Sequence, residues 1–395
     1  IGVIEEPIDK MLSLVDDEEW RNIRNATTPA FSGARLRRTT KDINECAEQL
    51  VRNLGSVADK GEPFDVKTYT GSFSVDIIAR VAFGVVIDSQ SDPGHPFVKY
   101  MNKLFDFSIF KTPMFFVMAF LPFLTPVLKK MGMRAFNQEC LGYFSGLIKQ
   151  AIEERKKDPA ERHDFLQLML DAKEFQPHKG EGEPTDRQRK PLTDDEVLSN
   201  CISFFFAAYG TIGDSMSLNL FALAEHPEVQ EKILEEINSV LGDNQQCSYD
   251  QIKEMTFLDM VLCECMRIYP AAQMVDRICS KDVTINGIKF PKDAAVTIPI
   301  WAIHRDADNW PEPDKFIPER FSPEKKAEVD PYHWLPFGHG PRNCIGLRLA
   351  TLEMKIALVH LIRNFKIHLS EPGQMMVRSN FTGSPVDLKL KVSRR

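Results

Sequence analysis

The strongest chemical signal in this chain is the stretch Phe337-Gly338-His339-Gly340-Pro341-Arg342-Asn343-Cys344-Ile345-Gly346. Its glycines and proline suit a tight loop with backbone angles closed to other residues. The loop ends on a cysteine directly before an apolar helical pattern. A thiol at a helix N-terminus faces backbone N–H groups and the positive end of the dipole, which favours the thiolate. Arg342 adds positive charge nearby. A rigidly held thiolate whose sulfur accepts N–H hydrogen bonds suits a soft ligand for iron. A buried cysteine in a turn is the plainer alternative, and the loop alone leaves both open.

Two upstream stretches carry paired charges. In Glu264-Cys265-Met266-Arg267 the acid and base stand three apart, on one helical face. Such a pair contributes little when exposed and can lock a fold when buried, at a desolvation cost. Arg320, in Pro318-Glu319-Arg320-Phe321, can complete a Glu–Arg–Arg cluster. Thr211 falls in the middle of a long apolar helical pattern. A threonine there commonly bonds back to the preceding turn.

These groups need a scaffold, and the chain reads as mostly helical up to about residue 175. Asp16 to Arg24 starts acidic and carries Trp20 and Arg24 four apart on one face. Ser72 to Ala82 reads as an apolar helix ending near Gly84. Pro113 to Leu128 is apolar apart from Thr125, broken by Pro122 and Pro126, and shorter than the about 20 residues a spanning helix wants. It reads as a buried or substrate-covering segment, with shallow membrane contact and a span as the alternatives. The polar stretch 174–190, with Pro177, Gly180, Gly182 and Pro184, reads as a flexible surface loop.

Thr193-Asp194-Asp195-Glu196 is a capping box. The helix after it runs to about Ala224, about 45 Å at roughly 1.5 Å per residue. His226-Pro227 opens another helix, stopped by Gly242. Leu258 to Ile268 is a further helix. Val283 to Ile298 alternates around Asn286-Gly287, a strong hairpin signal. A helix is expected from Ile345 to Arg363, then short strands to Val392.

Composition narrows the field. Hydrophobic residues are 43% and charged residues 27% of 395, which describes a folded globular chain. The net charge of −7 argues against a nucleic-acid partner. Eight cysteines without a C-x-x-C pair are too sparse for a disulfide scaffold and do not suggest zinc.

The cysteine loop, the E-x-x-R pair and the P-E-R-F stretch, in this order, resemble the cytochrome P450 superfamily of haem-thiolate enzymes over essentially the whole chain. The loop carries the family pattern F-x-x-G-x-R-x-C-x-G in full. The resemblance implies a mainly α (α+β) fold, a helical haem-binding domain with a small β-sheet region. It implies one domain over 1–395, incomplete at the N-terminus because the chain starts at Ile1. Cys344 is then the proximal iron ligand, with Phe337 and Gly346 in the cofactor loop. Trp20, Arg24, Arg277 and Arg342 match residues that contact haem propionates. Glu264, Arg267 and Arg320 match a structural cluster. Thr211 matches a catalytic threonine. Phe105, Phe107, Phe204, Ala207, Ala271, Met274, Phe381 and Thr382 match regions lining a substrate cavity, and plain core packing remains the alternative for each. His304, His333 and His339 read as surface or propionate-side residues.

Within the superfamily, Asp17-Glu18-Glu19-Trp20, the stretch from His163 to Leu170, and Lys190-Pro191-Leu192-Thr193 resemble the animal clan that holds the family 3 oxidases and thromboxane synthase. Pro96-Phe97-Val98-Lys99 leans toward the latter. The resemblance implies haem b, a lipophilic substrate (steroid, fatty acid or xenobiotic), and NADPH acting only through NADPH–cytochrome P450 reductase. Arg21, Arg342 and Arg348 are candidates for a basic patch facing that reductase. A membrane anchor would precede Ile1 and hold the enzyme on the cytoplasmic face of the endoplasmic reticulum. One departure stands out. The family's usual acid before the threonine is Gly210 here, and its usual glycine is Ala208. Asp214, one turn on, is a candidate replacement. The lost acid also fits an isomerase that rearranges a prostaglandin endoperoxide without dioxygen. A non-enzymatic haem protein is the third reading.

Overall fold

The helical patterns fold as helices in the computed structural model, which describes residues 7–92, 94–105, 136–157, 164–175, 190–371, 377–379 and 383–395 with a few isolated positions between. Packing divides the chain into two compact units, residues 1–50 with 71–212, and residues 51–70 with 213–395. The apolar run from Pro113 to Leu128 and the stretch 176–189 lie almost wholly outside the described residues.

The first unit is helical. It holds α1 (Asp17–Thr27), most of α2 (Gly33–Lys60) and α3 (Val66–Phe83), α4 (Pro96–Phe105), α5 (Gln138–Lys157), α6 (Phe165–Glu174) and the first part of α7 (Asp194–Glu225). Helix α3 stops where Gly84 takes φ +63° and its N–H donates to Arg80 O. That conformation has no steric cost for glycine. The capping box forms as expected. The Thr193 amide donates to Glu196 Oε2 at 2.7 Å, and the Glu196 amide donates to Thr193 Oγ1 at 3.2 Å. Aromatic rings fill the interior. Phe205 packs on Phe83 and Phe97 with centroids 4.2 and 4.9 Å away. Arg155 closes one edge. Its guanidinium donates to both Asp164 oxygens at 2.7 Å and to the carbonyl of Phe83.

The second unit mixes helices with short strands. It holds α8 (Pro227–Leu241), α9 (Tyr249–Glu254), α10 (Thr256–Ile268), α11 (Ile300–Ile303), α12 (Pro323–Lys326) and α13 (Leu347–Asn364). Strand β9 (Lys389–Arg394) lies between β1 (Phe64–Asp65) and β6 (Phe365–Leu369), antiparallel to both. Buried Gln230 of α8 reads the middle of β6. Its amide donates to Ile367 O and accepts from Ile367 N, each at 2.9 Å. A side chain thus replaces a strand at that edge, which leaves no buried backbone group unpaired.

Two expectations need correction. Asn286 and Gly287, at φ 50° and 80°, turn β3 (Val283–Ile285) into β4 (Ile288–Phe290). The hairpin ends there. Pro291 has no N–H to continue the ladder, and Asp293 turns at φ 66°. Residues Ala295–Ile298 (β5) instead pair with Val275–Ile278 (β2). The helix after the cysteine begins at Leu347 with Gly346 as its N-cap, two residues later than expected. Among the described residues, no helix is long and apolar enough to cross a membrane.

Helix α13 buries a carboxyl group. Glu353 is 1% exposed, and neither of its oxygens has a hydrogen-bond partner among the described residues. Burial pushes its pKa from 4.5 up to about 8. The folded chain therefore keeps a proton that the unfolded chain releases above about pH 4.5. Its stability falls as pH rises from there to about 8 and then levels off. Glu353→Gln is expected to match wild type near pH 4.5 and to exceed it by about 3–5 kcal/mol above pH 8. Denaturant midpoints across this range test it, and parallel curves for the two proteins refute it.

Candidate functional site

Glu264 and Arg267 on α10 are both fully buried. Arg267 Nε and Nη2 donate to the two Glu264 oxygens at 2.7 and 2.9 Å, a planar two-point pairing. The remaining donors go to backbone, with Nη1 to His304 O at 2.8 Å and Nη2 also to Lys315 O at 3.2 Å. Glu264 Oε1 further accepts the Ile317 amide at 2.9 Å and lies 3.4 Å from Arg320 Nε. Arg320 holds Glu312 O through Nη2. The expected three-residue cluster is thus assembled. So many hydrogen bonds offset the desolvation that an isolated buried pair would suffer. The cluster staples α10 to the segment from Glu312 to Arg320.

His304 is buried, not at the surface. It is 0% exposed. Its Nε2 accepts the Leu335 amide at 2.7 Å, so the proton sits on Nδ1, which faces Arg267 O at 3.2 Å. Burial lowers its pKa to about 4, so the ring is neutral at physiological pH. An imidazole suits this position because it can donate from one edge and accept at the other. The sequence offered no periodicity signal for this role.

His304 connects the buried cluster to the cysteine loop. The Gly338 amide donates to Leu335 O at 3.0 Å, the Cys344 amide to Phe337 O at 2.8 Å, and the Asn343 amide to Gly340 O at 3.0 Å. Gly338 and Gly340 take φ +67° and +81°, where a side chain would be strained. Seven of the eight cysteines are buried or half-buried; Cys344 is exposed. His339 is exposed and packs edge-on against Tyr332.

The loop fits a metal macrocycle. Among the described residues, no group of three or more His, Cys, Asp or Glu is gathered to hold a bare ion. One exposed sulfur on a backbone-braced loop suits a metal whose other ligands come from a prosthetic group. A Cβ added to Gly338 or Gly340 would meet nothing within 4 Å, so the loop leaves open space beside it.

The other expected residues are distributed as follows. Trp20 and Arg24 lie half-buried on α1. Arg277 is half-buried on β2 and donates to Asp276 O at 2.8 Å. Arg342 and Gly346 are half-buried in the loop. The Thr211 hydroxyl donates to Ala207 O, the back-bond that mid-helix threonines commonly make. Phe204 packs against Phe165 at 3.9 Å and Phe31 at 5.6 Å, within the first unit's core. Ala207 is exposed, Met274 is 48% exposed, and Ala271 O accepts the Gly383 amide. Phe107, Phe381 and Thr382 lie outside the described residues, as does the side chain of Phe105.

Asp214 is 1% exposed and already engaged. Lys67 Nζ lies 2.7 Å from its Oδ1, and the Ser384 hydroxyl donates to Oδ2. Burial is the main influence on its pKa and raises it, against the opposing pull of Lys67. The carboxylate that replaces the missing acid in sequence spacing is therefore an interior ion-pair partner.

The family model described as Cytochrome P450 matches residues 4–392. The chain is 39% identical over 370 residues to cytochrome P450 3A14 of Cavia porcellus, covering 93% of this chain and 72% of that protein. It is 39% identical over 388 residues to cytochrome P450 3A29 of Sus scrofa, covering 96% and 75%. It is 38% identical over 394 residues to cytochrome P450 3A6 of Oryctolagus cuniculus, covering 98% and 76%.

Proposed function

The chain belongs to the cytochrome P450 family, and from that premise we propose that it oxygenates a lipophilic small molecule using electrons relayed from NADPH by a reductase. That it is a haem-thiolate monooxygenase with haem b as cofactor follows from the family. The substrate class, the identity of the donor as NADPH–cytochrome P450 reductase, and residence at the endoplasmic reticulum membrane are our reading.

The observation that carries it is the braced loop presenting Cys344. When bound there, haem supplies the iron at which dioxygen is activated. Cys344 would hold that iron as its thiolate ligand and would supply electron density to it. The amide-to-carbonyl bonds of Cys344, Asn343 and Gly338 hold the sulfur's position. His304 holds Leu335 at the approach to the loop, and Glu264, Arg267 and Arg320 brace the Glu312–Arg320 segment and the carbonyl of His304. Arg277 and Arg342, in the second unit, would bind the acidic edge of the cofactor. Thr211 donates to Ala207 O and keeps lone pairs that can accept a hydrogen bond from a water. No carboxylate stands at position 210, and a water can carry a proton to Thr211 in its place.

The test is turnover by the full-length, haem-loaded protein. With NADPH, reductase and isotopically labelled dioxygen, one labelled atom is expected in a steroid or fatty-acid probe. Conversion of a prostaglandin endoperoxide without NADPH, with no probe oxidised, would establish an isomerase instead.

A further inference from the structure

Beside Glu264, the chain places a thiol against an amine. Cys263 is 3% exposed and packs with Met260, Trp310 and Phe321. Lys326, the last residue of α12, points its Nζ to 3.4 Å from Cys263 Sγ and 2.9 Å from Asp259 Oδ2. The other Asp259 oxygen lies 2.8 Å from Nζ of Lys355 on α13. The Lys326 side chain is 39% exposed, and that of Lys355 is 8% exposed. None of these four side chains has a part in the site described above.

We propose that Cys263 and Lys326 form a covalent oxygen-bridged link, N–O–S, when the protein is exposed to dioxygen. The Lys326 ammonium first gives up its extra proton to solvent, which its 39% exposed side chain reaches. One N–H and the S–H bond then break. One atom of dioxygen forms the N–O and O–S bonds, and the other leaves with both hydrogens as water. Sulfur and nitrogen each give up two electrons, and dioxygen takes four. The oxidant is the co-substrate of the family's own reaction.

Two features of the geometry favour this product. The nitrogen already sits at contact distance from sulfur, and a flexible lysine needs only a small movement to close on an interposed oxygen. Lys326 loses its charge in the link, yet Asp259 is not left uncompensated, because Lys355 remains on its other oxygen. The link would join α10, which carries Glu264 and Arg267, to α12, and so stiffen the support of the cysteine loop.

Peptide mass spectrometry of the purified holoenzyme tests the proposal. After exposure to air or dilute hydrogen peroxide, the Cys263 and Lys326 peptides are expected as one linked species. Its mass should equal their sum plus one oxygen and minus two hydrogens. Dithiothreitol should release it, and Cys263→Ser and Lys326→Arg should both lose it. Lys326→Arg keeps a cation for Asp259, and the wild-type measurement stands even if a variant folds poorly. A linked species lacking the oxygen would overturn the proposal. So would unlinked peptides at every dose, with Cys263 either unmodified or oxidised equally in wild type and Lys326→Arg.

Discussion

Cys344→Ser is expected to reduce NADPH-dependent oxidation to background while leaving the chain folded. A serine hydroxyl stays protonated at neutral pH and is a hard, weak donor, so it does not replace a thiolate on iron. The ferrous carbonyl complex should lose the strongly red-shifted absorbance that thiolate ligation produces. Folding should not suffer. Cys344 is the exposed cysteine, and the loop is braced by its backbone amides, which serine retains. The thermal midpoint of the haem-free chain should therefore stay within about 0.5 kcal/mol of wild type in stability terms, as for surface substitutions. A variant that keeps the red-shifted band would sink the assignment of Cys344.

Glu264→Ala is expected to be the most damaging single change to stability. Arg267 is fully buried, and its two strongest acceptors are the Glu264 oxygens. Without them a guanidinium remains in the interior with only carbonyl partners, and Arg320 loses its counter-charge. Breaking a buried pair from one side costs roughly 3–5 kcal/mol. That is a large part of a typical total of about 5–15 kcal/mol. The double change Glu264→Leu with Arg267→Met removes both charges and should recover much of the loss. Denaturation midpoints of the three proteins give the comparison. A single variant within about 1 kcal/mol of wild type would show that the cluster is not a source of stability.

His304 couples these two predictions. It takes the Leu335 amide on one nitrogen and faces Arg267 O with the other, so damage to the cluster is transmitted toward the cysteine loop. Glu264→Ala should therefore lower haem retention as well as stability, whereas Cys344→Ser affects the iron bond alone.

How much of this was legible in the residues depends on the range of the interaction concerned. The Thr193–Glu196 capping box, the stop at Gly242, the Asn286-Gly287 turn and the glycines at 338 and 340 were all readable. Each is fixed by backbone angles and hydrogen bonds within a few residues. The cysteine loop belongs to this group, so its shape was legible, while its chemistry was read from the family resemblance. The E-x-x-R spacing likewise placed two charges on one face.

Burial was not readable in this way. The spacing of Glu264 and Arg267 is the same for an exposed pair and an interior one. Only the packing of Glu312 to Arg320 over them removes the water. His304 looks like any surface histidine until Leu335, 31 residues later, donates to it. Asp214 has the spacing of a substitute acid, but Lys67 and Ser384, from opposite ends of the chain, claim its oxygens. The β2–β5 pairing and the contact of Lys326 with Cys263 are of the same kind. Local sequence decides which conformations a segment can take. Desolvation and long-range partners are properties of what the rest of the chain packs against it, so the tertiary structure alone could settle them.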